Sequence, residues 1–250
     1  PPGAILLFSA HGVSPEVRQQ AAERQIRVID ATCPLVAKVH LEAIRFAKQG
    51  YAIVFIGHRD HDEAVGTMGE APDAMWLVET VDDVDELPFE RDALVAYLMQ
   101  TTLSVDDAMR IVDRLEQRFP NLAGPASDDI CYATQNRQTA LKRLLPDVDL
   151  ALVVGSSNSS NSNRLREIAA QAGKRAYLID EAADIDPQWL TQVDSLLLTA
   201  GASAPEESVL ACLDYLIEKF DAELTAQSTV SEPIRFPMPA GMNDFCGSPQ

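Results

Sequence analysis

Apolar and polar positions fall in blocks along the chain. Short apolar runs of strand length occur at Ile5 to Phe8, Ala52 to Ile56, Leu94 to Leu98, Leu150 to Val154 and Leu196 to Leu198, each ending in small or polar residues. Helical stretches lie between them, among them Val36 to Lys48, Arg137 to Leu145 and one beginning near Arg164. Strands alternating with helices predict α/β units with mainly parallel sheets. Ligands of such sheets gather outside the C-terminal ends of the strands, which is where the polar loops fall.

One module repeats. Aligning Cys33 with Cys131 places Gly57 on Gly155, His61 on Ser159 and Glu63 on Asn161, each pair 98 positions apart. In both copies a Cys precedes a helix, an apolar strand follows, and a Gly opens a polar loop. A second element occurs three times, as a strand, a loop of small residues and a Ser opening a helix, at Ser14, Ser104 and Ser203. Ser104 with Asp107 and Ser203 with Glu206 fit the capping signature, and Ser14 precedes Pro15 at the favoured first helical position. The simplest architecture is three related α/β domains in a pseudo-threefold arrangement, with their loops facing a common centre. On this reading residues 1–33 are the remainder of an incomplete first domain, 34–124 the second and 125–224 the third. Residues 225–250 form a Pro-rich C-terminal tail, extended over another domain or partly disordered.

Composition narrows the function classes. A 46% hydrophobic content in 250 residues is ample for real cores. No run of 18 apolar residues exists, so neither a membrane span nor a signal peptide is expected, and the cytoplasm is the expected location. The start at Pro1 rather than Met suggests a fragment or a processed chain. A net charge of −18 argues against nucleic acid. A recessed anionic ligand is still allowed, because backbone N–H groups, hydroxyls and a few His can hold a phosphate. Four Cys without a secretory signal read as thiols rather than disulfides.

Each chemical candidate has a plainer alternative. A single Cys is usually a small buried hydrophobe, but the equivalent placement of Cys33 and Cys131 favours metal ligation. Cys212, inside an amphipathic helix, reads as core packing, and Cys246 in the tail as a free thiol. His61 and Glu63 follow a strand end, a position suited to an acid and its polar partner. Zinc on His58 and His61 competes with that reading, although no third ligand stands nearby in sequence. The run Gly155 to Asn163 is either a flexible linker or, squeezed between strand and helix, a donor-rich cradle for a diphosphate. His11, Thr101 and Ser203 end the three repeated strand-loop elements and suit a shared anion site, whereas His40 reads as structural or exposed.

At these residues the sequence resembles the 4-hydroxy-3-methylbut-2-enyl diphosphate reductase family over nearly its whole length. The matching motifs are FSAHGVS, DATCP, the GHxxHxE loop followed by GTMG, QTTLSVDD, DDICYAT, GSxNSSNSNRL and TAGASAP. The resemblance implies a central iron–sulfur site, a [4Fe–4S] cluster on three Cys, of which Cys33 and Cys131 match the second and third. It places His11, His61, Thr101, Ser159, Ser160, Asn161 and Ser203 at substrate-binding positions and Glu63 at the proton donor. It implies reductive dehydroxylation of the diphosphate substrate to isopentenyl and dimethylallyl diphosphates, with electrons from a ferredoxin or flavodoxin. The family's first Cys and a further His lie upstream of the region matching Pro1. The 250-residue piece alone is therefore expected to be inactive, and Gln135, where the family usually has Thr, to matter little. The alternative is a non-catalytic protein that binds a phosphorylated metabolite.

Overall fold

The computed structural model describes residues 4–227, 232, 234–240 and 242. All the strands within them lie in parallel sheets, as the alternation of strands and helices predicts. The order is β1 (Ile5–Phe8), α1 (Pro15–Glu23), β2 (Arg27–Asp30), α2 (Pro34–Lys48), β3 (Ala52–Ile56), α3 (Asp62–Met68), β4 (Met75–Val78), α4 (Asp83–Glu86), β5 (Val95–Met99) and α5 (Val105–Arg118). It continues with α6 (Tyr132–Leu144), β6 (Leu150–Val154), α7 (Ser160–Gln171), β7 (Arg175–Ile179), β8 (Leu196–Ala200) and α8 (Glu206–Phe220). By compactness the chain forms two units, Pro1–Thr101 with Asp106–Ile130 and Ile234–Gln250, and Thr102–Val105 with Cys131–Pro233.

In the first unit β1 pairs with β2, and a second sheet has the order β4-β3-β5. The central strand β3 is buried on both faces at Ile53, Val54 and Phe55, which explains its unbroken apolar run. Val39, Ala43 and Phe46, the apolar stripe of α2, pack on Ile53 and Phe55. Truncating a side chain such as Phe55 to Ala there would cost about 3–5 kcal/mol.

The second unit repeats the pattern with the order β7-β6-β8. Helix starts at Pro34 and Tyr132, strand starts at Ala52 and Leu150, and helix starts at Asp62 and Ser160 all keep the 98-residue offset read from the sequence. Cys212 is fully buried, packed with Leu150, Leu152, Val154 and Leu216, the core role expected of it.

Several boundaries differ from the pattern reading. Helices α2 and α6 begin directly after Cys33 and Cys131, earlier than Val36 and Arg137; in α2 the first position is Pro34, which has no N–H to lose there. Helix α7 begins at Ser160 rather than near Arg164, because the Ser159 hydroxyl accepts the Ser162 N–H and starts the helix inside the Ser/Asn run. Ser203 does not open α8. Pro205 is extended at the N-cap, and a residue preceding Pro is kept from helical geometry, so the helix waits until Glu206. Strand β5 runs one residue later than expected, to Met99, and β8 extends to Ala200.

Cys246 lies outside the described residues, as do all residues after 242. No helix among the described residues is long and apolar enough to cross a membrane.

Candidate functional site

In the first unit the sequence candidates collect at strand ends. After β1 the chain turns through His11 and Gly12, with Gly12 in the left-handed region at φ 74°. A Cβ there would also meet His40 Nε2 at 3.1 Å, so Gly fits on both grounds. Ser14 then caps α1 by accepting the Val17 N–H, as the sequence suggested. His40 itself is buried, its Nδ1 2.8 Å from Glu70 Oε1, which settles it as structural.

After β3 the loop delivers His61 as the N-cap of α3 and Glu63 into its first turn. Nδ1 of His61 accepts the Glu63 N–H at 3.2 Å. Burial foremost, then the neighbouring His11, pushes the His61 pKa down to about 4. The ring is therefore neutral at pH 7, with Nδ1 occupied as acceptor and the proton on Nε2, which makes it a donor. The His11 and His61 rings meet edge to face at 4.9 Å between centroids.

Glu63 has no exposed surface. Its Oε1 accepts the Thr101 N–H at 2.6 Å and its Oε2 the Thr101 hydroxyl at 2.9 Å. Burial raises its pKa to about 7; the two Thr101 donors oppose that rise, and the charge of Asp129 adds to it. At neutral pH this carboxyl is poised to give or take a proton, the condition wanted of a general acid.

His11, His61 and Glu63 bring one nitrogen or oxygen each within 4.8 Å of one another, so they form the one grouping among the described residues that could be read as a metal site. The hydrogen bonds favour a different use. His61 Nδ1 already accepts the Glu63 N–H, and each Glu63 oxygen already accepts from Thr101, so these two side chains are engaged within the protein. His58 stands outside the group, its backbone bonded to Gln100 and its ring Nδ1 3.9 Å from Glu79, so zinc on His58 and His61 loses its geometry.

Cys33 belongs to the first unit and Cys131 to the second, and their local settings match. Each is the N-cap of a helix, with φ and ψ of −58° and 135° for Cys33 and −55° and 134° for Cys131. Neither thiol is spent on capping, and both are half-buried free thiols, unlike the core residue Cys212. A helix N-terminus favours a negatively charged group, so both positions suit a thiolate ligand. Before Cys33, Asp30 accepts the Thr32 N–H and hydroxyl and pairs with Arg18, fixing the DATC turn. Although burial opposes it, these partners hold the Asp30 carboxyl below its usual range.

In the second unit Ser159 caps α7, and Ser160 and Asn161 occupy its first turn. The Thr102 hydroxyl donates to Ser160 Oγ at 3.1 Å. Asn161 is buried, and neither atom of its side-chain amide has a hydrogen-bond partner, an arrangement that costs free energy unless a ligand completes it. Ser162 fills the space beside Gly155 and Gly201, where any Cβ would collide with its hydroxyl, so these glycines bring the ends of β6 and β8 close to the helix start. Ser203 sits exposed in the turn after β8. Asn163, not singled out from sequence, donates to Ser157 O and Ser159 O and shapes the loop from within.

The sequence pattern of the LytB protein family matches residues 3–217. The chain belongs to the LytB family. Within the family's relatives, a 4-hydroxy-3-methylbut-2-enyl diphosphate reductase of Rhodopirellula baltica is 56% identical over 245 residues, 98% of this chain and 77% of that protein. One from Rhodococcus jostii is 52% identical over 240 residues, 96% and 71% of the two chains. Among solved structures, the E-1-hydroxy-2-methyl-but-2-enyl-4-diphosphate reductase from Plasmodium falciparum superposes with a TM-score of 0.93 at 39% identity, over 98% of this chain and 78% of that one.

Proposed function

We propose that this LytB-family chain carries the acid and substrate-binding residues of a 4-hydroxy-3-methylbut-2-enyl diphosphate reductase. The observation that carries the reading is Glu63, buried, held by both Thr101 donors and poised near neutrality beside His11 and His61. The reaction breaks a C–O bond and forms a C–H bond, consuming two electrons and two protons and releasing water. Placing the new hydrogen at one or the other end of the allyl system gives isopentenyl or dimethylallyl diphosphate.

Cys33 and Cys131 are the thiolates this chain would give to a [4Fe–4S] cluster. Bound there, the cluster would supply the electrons and a Lewis-acidic iron for the departing oxygen. Glu63 answers the difficulty of expelling hydroxide by supplying a proton. The Thr101 hydroxyl both accepts and donates, so it can take a proton from Glu63 Oε2 while offering its own.

The neutral His61 presents Nε2–H, and His11 a second imidazole, to anionic or hydroxyl oxygens of the substrate. Ser159, Ser160, Asn161 and Ser203 supply hydroxyl and amide donors to the diphosphate, and the unpartnered Asn161 amide supports that role. The start of α7 adds its N–H groups and positive dipole end. In this reading three related α/β domains surround the site in pseudo-threefold fashion, the enzyme works in the cytoplasm, and a ferredoxin or flavodoxin delivers the electrons.

The test is anaerobic iron and sulfide analysis with substrate titration on the native, Cys33→Ser and Cys131→Ser proteins, each expressed with its whole reading frame. A reductase loses iron, sulfide and turnover in both variants. Iron-independent diphosphate binding without turnover would instead identify a metabolite-binding protein.

A further inference from the structure

Beyond its charge adding to the rise of the Glu63 pKa, Asp129 has no part in the roles above, yet it is 1% exposed, an expensive place for an ionisable group. Its Oδ2 accepts the Met99 N–H at 2.9 Å and its Oδ1 meets Lys38 Nζ at 3.0 Å. Lys38 also reaches the carbonyls of Ser127 and Asp128 and, at 3.6 Å, Glu42 Oε2.

The position on β5 gives this carboxylate its meaning. One edge of β5 pairs with β3, while on the other, among the described residues, only an isolated bridge to Ala123 is made. On that outer edge the Tyr97 N–H is served by Ala123 O, and the Ala123 N–H returns to Val95 O. At Met99 the backbone partner runs out, and the Asp129 side chain takes its place. A peptide carbonyl could serve that amide alone. A carboxylate serves it and also binds Lys38 on α2, the helix whose N-cap is Cys33. Two residues beyond Met99 stands Thr101, whose N–H and hydroxyl hold Glu63.

We propose that Asp129 is a positioning residue for the acid Glu63: by completing the open edge of β5 at Met99 it fixes where Thr101 presents its two donors. The kinetic part of this inference rests on the reading of Glu63 as the acid, and the structural part does not. Losing a hydrogen bond to a charged group should loosen the strand end on the order of tenfold or more. Asn keeps an acceptor for Met99, and Lys38 keeps its other oxygens, so Asp129→Asn should retain the anchoring that Asp129→Leu removes.

The experiment is amide hydrogen exchange by NMR, read at Met99 and Thr101, with kcat and KM measured on the same variants. Asp129→Leu is expected to lower Thr101 protection and kcat on the order of tenfold each with KM nearly unchanged, and Asp129→Asn to keep both close to native. Native protection and native kcat in Asp129→Leu overturn the proposal. Equal losses in Asn and Leu overturn it too, since charge rather than the hydrogen bond would then be required. Should Asp129→Leu fail to fold, the native chain still decides: Met99 and Thr101 must exchange in one opening event, and independent exchange contradicts the anchoring. With the variants and the native protein all made from the whole reading frame and loaded with iron and sulfide, an absence of native turnover would sink the reductase reading while leaving the exchange result intact.

Discussion

Replacing Glu63 by Gln should stabilise the fold while destroying its chemistry, and the stabilisation should depend on pH in a calculable way. The folded pKa of about 7 lies above the ordinary 4.5, raised first by burial. Between those values the folded state holds a proton that the unfolded state has released, so native stability falls as pH rises from 4.5 to about 7 and levels off above. Gln is neutral throughout and its carbonyl can still accept the Thr101 N–H. At 1.36 kcal/mol per pKa unit, the native carboxyl costs roughly 3 kcal/mol at pH 8 and under about 1 kcal/mol at pH 5. The stability gain of Glu63→Gln should therefore be about 2–3 kcal/mol larger at pH 8 than at pH 5. Urea unfolding of both proteins at the two pH values reads this directly, and other titrating groups cancel in the difference. A gain of equal size at both pH values would show that Glu63 is not a buried acid with a raised pKa.

Thr101→Val removes the hydroxyl that donates to Glu63 Oε2, so the Glu63 midpoint, followed by carbon-13 NMR of its carboxyl, should move up from about 7; a downward move contradicts the assigned hydrogen bond. His61 should remain neutral with its proton on Nε2 well below pH 6, visible in nitrogen-15 shifts, and an imidazolium at pH 6 would contradict the burial argument. Because its folded pKa is depressed, the stability tied to neutral His61 is complete above 6.5 and lost as pH falls through about 4. Gly69→Ala places a Cβ 2.6 Å from Ser14 Cβ, in the loop that follows His11, and should cost about 1–3 kcal/mol in urea unfolding. An unchanged midpoint would contradict the close approach of Ser14 to Gly69 at the end of α3, since Ala is otherwise the better helix residue.

Much of this was legible in the sequence because it is local or periodic. Buried parallel strands must be apolar throughout, so β3 and β6 were read to the residue. The Cys-helix-strand-Gly module repeats at fixed spacing, so the equivalent placement of Cys33 and Cys131 ahead of a helix followed from alignment, while their role as N-caps did not. Helix starts were harder because competing local rules decide them: a Ser run looks like a linker until one Ser caps it, and Pro205 delays α8 past Ser203.

What escaped is long-range. Thr101 and Glu63 are 38 residues apart, and Lys38 and Asp129 are 91 apart. No local pattern says that a strand end lacks an edge partner or which side chain supplies it. The Asp preceding Ile130-Cys131 was visible as part of a motif, but its use became clear only beside the Met99 N–H that it accepts. The GTMG segment was likewise visible as letters, yet its role as a close-packing face for the Ser14 loop needed the geometry.

The most direct measurement is anaerobic turnover of 4-hydroxy-3-methylbut-2-enyl diphosphate by native protein and Glu63→Gln, both from the whole reading frame and loaded with iron and sulfide. Native protein should form isopentenyl and dimethylallyl diphosphates. Glu63→Gln should bind the substrate with similar affinity and form almost none. Turnover by Glu63→Gln at the native rate would contradict the assignment of the acid, and native protein that binds substrate yet never reduces it would contradict the function itself.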